Sequence, residues 1–513
     1  MPSGRPKSIA LDGESLTLEG VETIADGAAV RLRPEVRKRV RATRRRVDRA
    51  IAGDDAVYGV NTGFGKLARI RVPDRDLETL QKNLIRSHAV GVGAPFDDRT
   101  VRAILALRAN CLARGHSGIR LSTLEHLLNM LNAGVLPIVP IQGSVGASGD
   151  LAPLAHVALA AIGEGRVRLG GRERPASRAL RSAGLTPCRL AAKEGLALIN
   201  GTQVMTAVGV LAQRRAERLC LLADIVGAMT HEALFGSSRA FDERVHAARP
   251  HPGQRTSALN LSRLVADSEI ARSHEECDRV QDAYSLRCMP QVHGAVRDAL
   301  AHVHFVLLVE TNASTDNPMV FENGDLVSAG NFHGQPVAIA MDHLATAACS
   351  LGTISERRID RMMNPSTNEG LHPFLAANPG LDSGLMMAHV TAAALVSENK
   401  VLAHPASVDS IPTSASQEDH VSMGVQAARQ ASAVVEHVEC VLAIEALAAA
   451  QALEARRPLT PGPGVRAARN AFRKHVPALD GDVELAPVIE KARAALRSGD
   501  LERACRRAIG PLG

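Results

Sequence analysis

Beyond about residue 95 the chain repeats one pattern: apolar residues every three or four positions, broken by short polar or glycine-rich stretches. That spacing is the signature of helices with one buried face. It predicts helices over Asp98–Arg114, Leu121–Leu131, Leu151–Ile162, Glu194–Ala228, Gln291–Glu310, Gln335–Arg358 and Leu385–His404. The longest run, Glu418–Arg457, holds one Gly and no Pro over about forty residues, with apolar positions at Val421, Val425, Ala428, Val435, Val438 and Leu442. At about 1.5 Å per residue such a helix would reach roughly 60 Å, longer than an ordinary domain is wide. Its small-residue face needs neighbours along the whole length, so a bundle shared between subunits is expected. Before residue 95, Ser15–Leu18 and Ala68–Val72 alternate like short strands. No repeat or linker marks a boundary. The expectation is one domain over 1–513: a mixed part to about 95, a helical core over about 96–455, and a charged, Pro-interrupted peripheral tail over about 456–513.

Composition narrows this. There is no Trp, and only nine Phe and two Tyr occur in 513 residues, so the core must come from Ala, Val, Leu, Ile and Met. Closely packed helices suit that set better than aromatic-rich sheets. With 45% hydrophobic and 22% charged residues, wholesale disorder is excluded. No apolar stretch of bilayer length is free of charge, and the first twenty residues turn acidic where a signal peptide needs an apolar core. A cytoplasmic protein with no membrane partner is expected. The eight cysteines are widely spaced without a C-x-x-C pair, which favours reduced thiols over a disulfide framework.

The net charge of +6 is concentrated at Arg31–Arg49, where ten of nineteen residues are Lys or Arg. A nucleic-acid patch would release counterions from phosphate. No aromatic residue is interleaved for stacking, however, and Val36, Val40 and Val47 fall near helical spacing. A solvated Arg-rich helix is the preferred reading, with no nucleic-acid partner. The 19 histidines include no H-E-x-x-H, and His302-x-His304 lacks nearby partners, so no metal is expected.

Chemistry enters at Gly143-Ser-Val-Gly-Ala-Ser-Gly-Asp150. A phosphate cradle would need a nucleotide fingerprint that is missing. A plain glycine-rich turn before a helix is a second reading. A third is covalent: in a compressed turn the Gly149 nitrogen can attack the Ala147 carbonyl carbon, because glycine permits the strained approach. Loss of water from that adduct and from Ser148 leaves a methylidene on an imidazolone ring, an electrophile that no side chain supplies.

At this loop the chain resembles the aromatic amino acid ammonia-lyases, from about Leu16 to about Gln451. The blocks are Tyr58-Gly-Val-Asn-Thr-Gly-Phe-Gly65, Ser87-His-Ala-Val-Gly91, Gly146-Ala-Ser-Gly-Asp-Leu-Ala-Pro153 and Asn200-Gly-Thr-Gln203. They continue with Gln281-Asp-Ala-Tyr-Ser-Leu-Arg287, Thr315-Asp-Asn-Pro318, Gly330-Asn-Phe-His-Gly334 and Ser416-Gln-Glu-Asp-His-Val-Ser422. The resemblance implies a mainly α fold: a long central helical bundle of the ammonia-lyase/fumarase-like type with a smaller mixed N-terminal region. It implies the cofactor 4-methylidene-imidazole-5-one (MIO), formed from Ala147-Ser148-Gly149 with no external cofactor. It also implies a homotetramer with shared active sites.

Two tyrosines in the whole chain make a check independent of the family, since both Tyr58 and Tyr284 sit in segments unlike core and so suit functional phenols. The resemblance makes Tyr58 the base, Asn200 a donor to the imidazolone oxygen and Arg287 the grip on the substrate carboxylate. Tyr284, Gln281 and Phe332 would line the pocket. From the residues alone, a surface ion pair is the better reading of Arg287 and a helix cap the better reading of Asn200. Substrate choice would rest on Ser87-His88 and Glu418, where tyrosine- or phenylalanine-acting relatives carry His-Leu or Phe-Leu, and Gln. Polar groups there suit an imidazole with two nitrogens to satisfy. The expected reaction is deamination of L-histidine to trans-urocanate and ammonia, the first step of histidine degradation. An aromatic lyase or aminomutase on the same scaffold, or a nucleic-acid-binding scaffold or pseudoenzyme, remain alternatives. Met289, His293, Asp382 and His389 depart from the pattern expected of histidine-acting members.

Overall fold

Helices make up most of the chain in a computed structural model that describes residues 8–52, 59–63, 70–276 and 279–513. Two compact units emerge. The first comprises 1–214, 303–342 and 405–429; the second comprises 215–302, 343–404 and 430–513. Four long helices, Gln203–Ala233, Met289–Thr311, Gln335–Met363 and Gly424–Glu454, each contain a boundary between them.

In the first unit the helix Asp98–Ala113 begins where Asp97 accepts a hydrogen bond from the Thr100 amide, and it is buried almost all round from Val101 onward. Leu121–Asn132 packs on it. Among the described residues, short strands pair in four small sheets: Ile9–Leu11 with Val30–Leu32, Val92–Pro95 with Pro140–Gln142, Leu136–Pro137 with Arg166–Leu169 and Arg172–Pro175, and Met319–Val320 with Leu326–Val327. The basic segment forms the helix Pro34–Ile51 with Val36, Val40 and Val47 buried. Several of its arginines meet acids, as in Arg39–Glu14 at 3.0 Å and Arg44–Asp48 at 2.7 Å. Arg44 is not solvated: it is buried and donates to the carbonyls of Ala192 at 3.0 Å and Gly118 at 3.3 Å.

The mainly α expectation holds, with three local corrections. Ser15–Leu18 is not a strand: Thr17 caps the helix Leu18–Ala25, its side chain accepting from the Gly20 amide. The predicted helix Glu194–Ala228 is two helices, Glu194–Ile199 and Gln203–Ala233, interrupted at Asn200-Gly-Thr202. The run Glu418–Arg457 is helical only over Gly424–Glu454, about 46 Å, so Glu418 lies in the preceding loop. Of Ala68–Val72, residues 68 and 69 lie outside the described residues, and Arg71 forms a single antiparallel bridge with Thr62.

In the second unit a buried ionic network lies among helices. Arg358 meets Glu445 at 2.6 and 2.8 Å, and the hydroxyls of Thr230 and Ser355 donate to the same carboxylate. Asp224 accepts from Arg297 at 2.6 Å and pairs with His293 Nδ1 at 2.8 Å. Burial lowers the His293 pKa although Asp224 pulls the other way. The unusual residues therefore have structural partners: Met289 is buried with its sulfur against Gly227, His389 pairs with Glu356 at 2.9 Å, and Asp382 accepts from Asn378 at 3.0 Å. Met289–Thr311 and Gln335–Met363 are long and apolar enough to cross a membrane. The first carries Arg297 in the network just described, and Asp342 in the second accepts from the Ser407 amide at 2.8 Å. Cys277 lies outside the described residues; the seven described cysteines are free thiols.

Candidate active site

The glycine-rich segment forms a tight turn before the helix Leu151–Ala161. Ser148 has φ of +50° and Gly149 +78°, a region costly for any residue with a Cβ. Gly149 is bridged in parallel to Gly201, and a Cβ on it would stand 2.3 Å from the Gly201 carbonyl oxygen. That same oxygen accepts from the Asp150 amide at 2.7 Å. On the other side the loop Thr413–Met423 docks: the Met423 amide donates to the Val145 carbonyl at 2.9 Å, and Ser422 Oγ stands where a Cβ on Gly146 would be. The turn is held from two directions, and only glycine fits at its contacts.

Asn200 sits in the break between two helices, and its Nδ2 donates to the Ser148 carbonyl oxygen at 3.1 Å. The break has a physical cause that the residue pattern did not reveal. Arg108, fully buried in Asp98–Ala113, donates to the carbonyls of Asn200 at 2.9 Å and Ala197 at 2.5 Å, and to the Gln203 side chain. A charged donor thus takes the carbonyls that an unbroken helix would have used. Gln203 passes the link on, its Nε2 donating to Thr315 Oγ1 at 2.7 Å. At the other end of Glu194–Ile199, Lys193 has φ of +69° and pairs with Asp316 at 2.9 Å, both side chains fully buried.

Asp150 faces the opposite helix. Its Oδ2 accepts from the Val204 and Met205 amides at 2.7 and 2.9 Å, at the start of Gln203–Ala233, while Oδ1 is buried without a partner. Burial pushes its carboxyl up to about 7 against the pull of those amides, with nearby Glu310 adding to the rise. Glu310 is itself raised by burial, and it accepts from Thr202 Oγ1.

Beside the turn lies a cavity of about 770 Å³ lined by His88, Ala147, Ser148, Asn200, Phe332 and Glu418, among others. His88 ends the helix Leu77–His88 with Nδ1 2.8 Å from the Leu84 carbonyl. A carbonyl can only accept, so Nδ1 carries the hydrogen and Nε2 is left as an acceptor. Ser87 is exposed, does not line the cavity, and bonds the Leu84 carbonyl at 3.1 Å. Glu418 Oε2 accepts from Thr413 Oγ1 and Ser414 Oγ, each at 2.7 Å, and its Oε1 accepts from Ser148 Oγ at 3.4 Å.

The cavity also holds residues with no role assigned from sequence: Asn317, Ser328, His333 and His420. The last two stack nearly parallel, ring centroids 5.7 Å apart. Asn317, His333 and His420 fall inside family-like blocks, which was the available signal; Arg108 showed only as a charge within an apolar run. Gln281, Tyr284 and Arg287 belong to the second unit and are absent from the cavity's lining. Tyr284 is 72% exposed, and the Arg287 guanidinium lies 4.6 Å from its ring centre. Tyr58 lies outside the described residues. Among the described residues no group of three or more His, Cys, Asp or Glu is placed to hold a metal ion.

Comparison with known proteins extends this geometry. The profile of the family described as aromatic amino acid lyase matches residues 16–474. A histidine ammonia-lyase of Anaeromyxobacter sp. (strain K) is 56% identical over 507 residues, covering 97% of this chain and 100% of the relative. The crystal structure of histidine ammonia-lyase from Trypanosoma cruzi superposes with a TM-score of 0.91 at 44% identity, over 98% of this chain and 96% of that one. Tyrosine aminomutase from Streptomyces globisporus gives 0.94 at 40% identity, over 99% and 100%. With a family profile spanning nearly all of the sequence, and the same fold in relatives aligned almost end to end, the chain belongs to the aromatic amino acid lyase family.

Proposed function

We propose that this chain is a carbon–nitrogen lyase that releases ammonia from L-histidine to give trans-urocanate. The observation that carries the reading is one cavity holding the Ala147-Ser148-Gly149 turn, Asn200, His88 and Glu418 together. The turn suits cyclisation to MIO: Ser148 is already left-handed, Gly149 tolerates no side chain, and the Ser148 carbonyl has a donor in Asn200. MIO supplies an electrophilic methylidene carbon that converts the substrate's amine into a better leaving group.

The chain's own residues do the rest. Asn200 Nδ2, already aimed at the Ser148 oxygen, stabilises negative charge arising there. His88 Nε2 accepts from one imidazole nitrogen of the substrate, and Glu418 takes the other. Phe332 forms an apolar wall. Tyr58 removes the β-proton, Arg287 holds the carboxylate, and Tyr284 and Gln281 complete the pocket. Those last three side chains are assigned to sites shared between subunits of a homotetramer. Exposed apolar residues in each unit support association: Phe305, Val309 and Ile339 in the first, and Leu381, Met387 and Val401 in the second. The setting is cytoplasmic.

The test is urocanate formation from L-histidine by its absorbance, beside cinnamate and coumarate formation by the same protein. Histidine should be favoured by roughly 10⁴-fold, because an apolar ring leaves the polar groups of the pocket unpaired. Faster deamination of tyrosine or phenylalanine would overturn the substrate assignment. The likeness to tyrosine aminomutase favours one second reading, retention of the amine as a β-amino acid, which chromatography of the same reactions detects. Ser148→Ala should abolish ammonia release.

A further inference from the structure

The segment carrying Gln281, Tyr284 and Arg287 has little secondary structure of its own. It forms one turn of helix, Tyr284–Arg287, whose N-cap residue, Ala283, offers no side-chain acceptor. A single turn is unstable alone, because fixing its dihedrals outweighs the few hydrogen bonds it closes. Its placement must come from contacts outside it. Downstream, Leu286 is fully buried and Arg358 donates to the Ser285 carbonyl at 3.5 Å. Upstream, two charged side chains fasten the segment to the C-terminal end of the helix Gln203–Ala233.

That helix closes at Phe235, which has φ of +50°, and the Gly236 amide returns to the His231 carbonyl at 2.8 Å. Carbonyls past the last turn have no partner within a helix. Arginines take them here: Arg456 donates to Ala233 at 2.7 Å, and Arg279 donates to Leu234 at 3.3 Å and to Phe235. Arg279 also pairs with Glu369 at 2.8 Å. Three residues on, the Asp282 side chain is 2% exposed. Its Oδ2 accepts from the Ser237 amide at 2.7 Å, and its Oδ1 lies 3.2 Å from Arg279 Nη2. His231 is buried near this carboxylate, but burial lowers its pKa to about 4. It is therefore neutral, and Arg279 is the cation that answers Asp282. Beyond this clasp Tyr284 is 72% exposed. Arg287 Nε is buried without an acceptor, and the guanidinium stands 4.6 Å from the Tyr284 ring centre. The placement of Arg287 thus follows that of Tyr284, two residues from Asp282.

We propose that Asp282, held by Arg279 and the Ser237 amide, is a positioning residue for the reaction: it fixes where Tyr284 and, through the Tyr284 ring, Arg287 meet the substrate. This rests on the reading that Arg287 grips the carboxylate of L-histidine and Tyr284 lines the pocket. Asp282 is buried against its own helix end and does not line the cavity at the turn. Its loss should spare MIO and disturb how the carboxylate end of the substrate is held.

The experiment is steady-state urocanate formation by full-length Asp282→Ala and Asp282→Asn proteins, checked for fold by circular dichroism, with intact mass and hydrogen exchange alongside. Misplacing a binding group by about 1 Å costs roughly 100-fold, so kcat/KM for L-histidine should fall by about that factor in Asp282→Ala. Asp282→Asn keeps an acceptor for the Ser237 amide but loses the charge facing Arg279, and should lie between. Both variants should stay two waters short of the translated mass, the deficit that cyclisation leaves. The amides of 281–287 should exchange faster in Asp282→Ala than in wild type. Coupling separates positioning from general damage: on an Arg287→Ala background, Asp282→Ala should lower kcat/KM by no more than about tenfold, because a group it positions is already gone. A full further 100-fold loss there would overturn the proposal. So would Asp282→Ala protein with the wild-type kcat/KM, or one of full translated mass, since Asp282 would then be serving the turn. A wild-type protein that forms no urocanate would instead sink the lyase reading, and the exchange of 281–287 would then decide whether Asp282 holds the segment.

Discussion

Replacing Asp150 by Asn should alter how stability depends on pH. The Asp150 carboxyl titrates near 3.8 in an unfolded chain and is pushed up to about 7 in the folded one, burial being the largest cause. A group whose folded pKa is raised favours the native state while protonated. Its contribution is complete below about pH 4, is lost as pH rises toward about 7, and does not change further above that. A difference of about 3 in pKa is worth roughly 4 kcal/mol at 1.36 kcal/mol each. For 513 residues, unfolding entropy near 2.1 cal/mol/K per residue sums to about 1.1 kcal/mol/K, so the whole effect is worth about 4 °C in Tm. The assay is thermal melting by circular dichroism, wild type beside Asp150→Asn, from about pH 5 to pH 8. Both proteins share every other titration, so their difference isolates this carboxyl. Wild-type Tm should fall relative to the variant by about 2–3 °C between pH 5 and pH 7 and then run parallel. A difference flat across that range, or moving in favour of the wild type, would refute burial as the governing force.

Other substitutions test neighbouring contacts. Lys193→Met leaves Asp316 buried without its 2.9 Å partner and should cost about 3–5 kcal/mol in denaturant titrations, most of it recovered by adding Asp316→Leu. Gly149→Ala drives a Cβ to 2.3 Å from the Gly201 oxygen at a positive φ, so the purified chain should keep both waters by intact mass. Asn200→Ala should lower kcat by about 10²–10³-fold with a smaller change in KM, the pattern for a donor serving developing charge. His88→Leu should cut urocanate formation steeply while narrowing the gap to coumarate formation from tyrosine.

Most helices could be read from apolar spacing, because that spacing records which face each one buries. What the spacing could not contain was tertiary competition for backbone carbonyls. Asn200-Gly-Thr202 looked like a tolerable dip in a long helix, and the interruption depends on Arg108, more than ninety residues earlier in the chain. Glu418 was placed on the long helix because no proline or glycine intervenes before Gly424, and the left-handed residue that separates it from the helix is Met423, with φ of +55°. Ser15–Leu18 alternated like a strand, but a threonine that caps outweighed the alternation. In the site, Ala147-Ser148-Gly149 stood out because a compressed turn needs glycine there, whereas Asn200 stood out only through the resemblance to the family. The contact between Glu418 and the Ser148 hydroxyl was not legible, since it depends on how a loop returns.

The short helix Glu194–Ile199 carries an unusual constraint on length. Lys193 is tied to Asp316 at one end and Asn200 to Arg108 and Ser148 at the other, with only six residues between. One residue added or removed there would swing Asn200 by about 100° around the helix axis. No sliding could compensate, because both ends are anchored in the interior. Insertions and deletions should therefore be purged from this segment far more strictly than amino-acid replacements, and a designer grafting this site elsewhere must keep the six-residue interval before choosing any side chain within it.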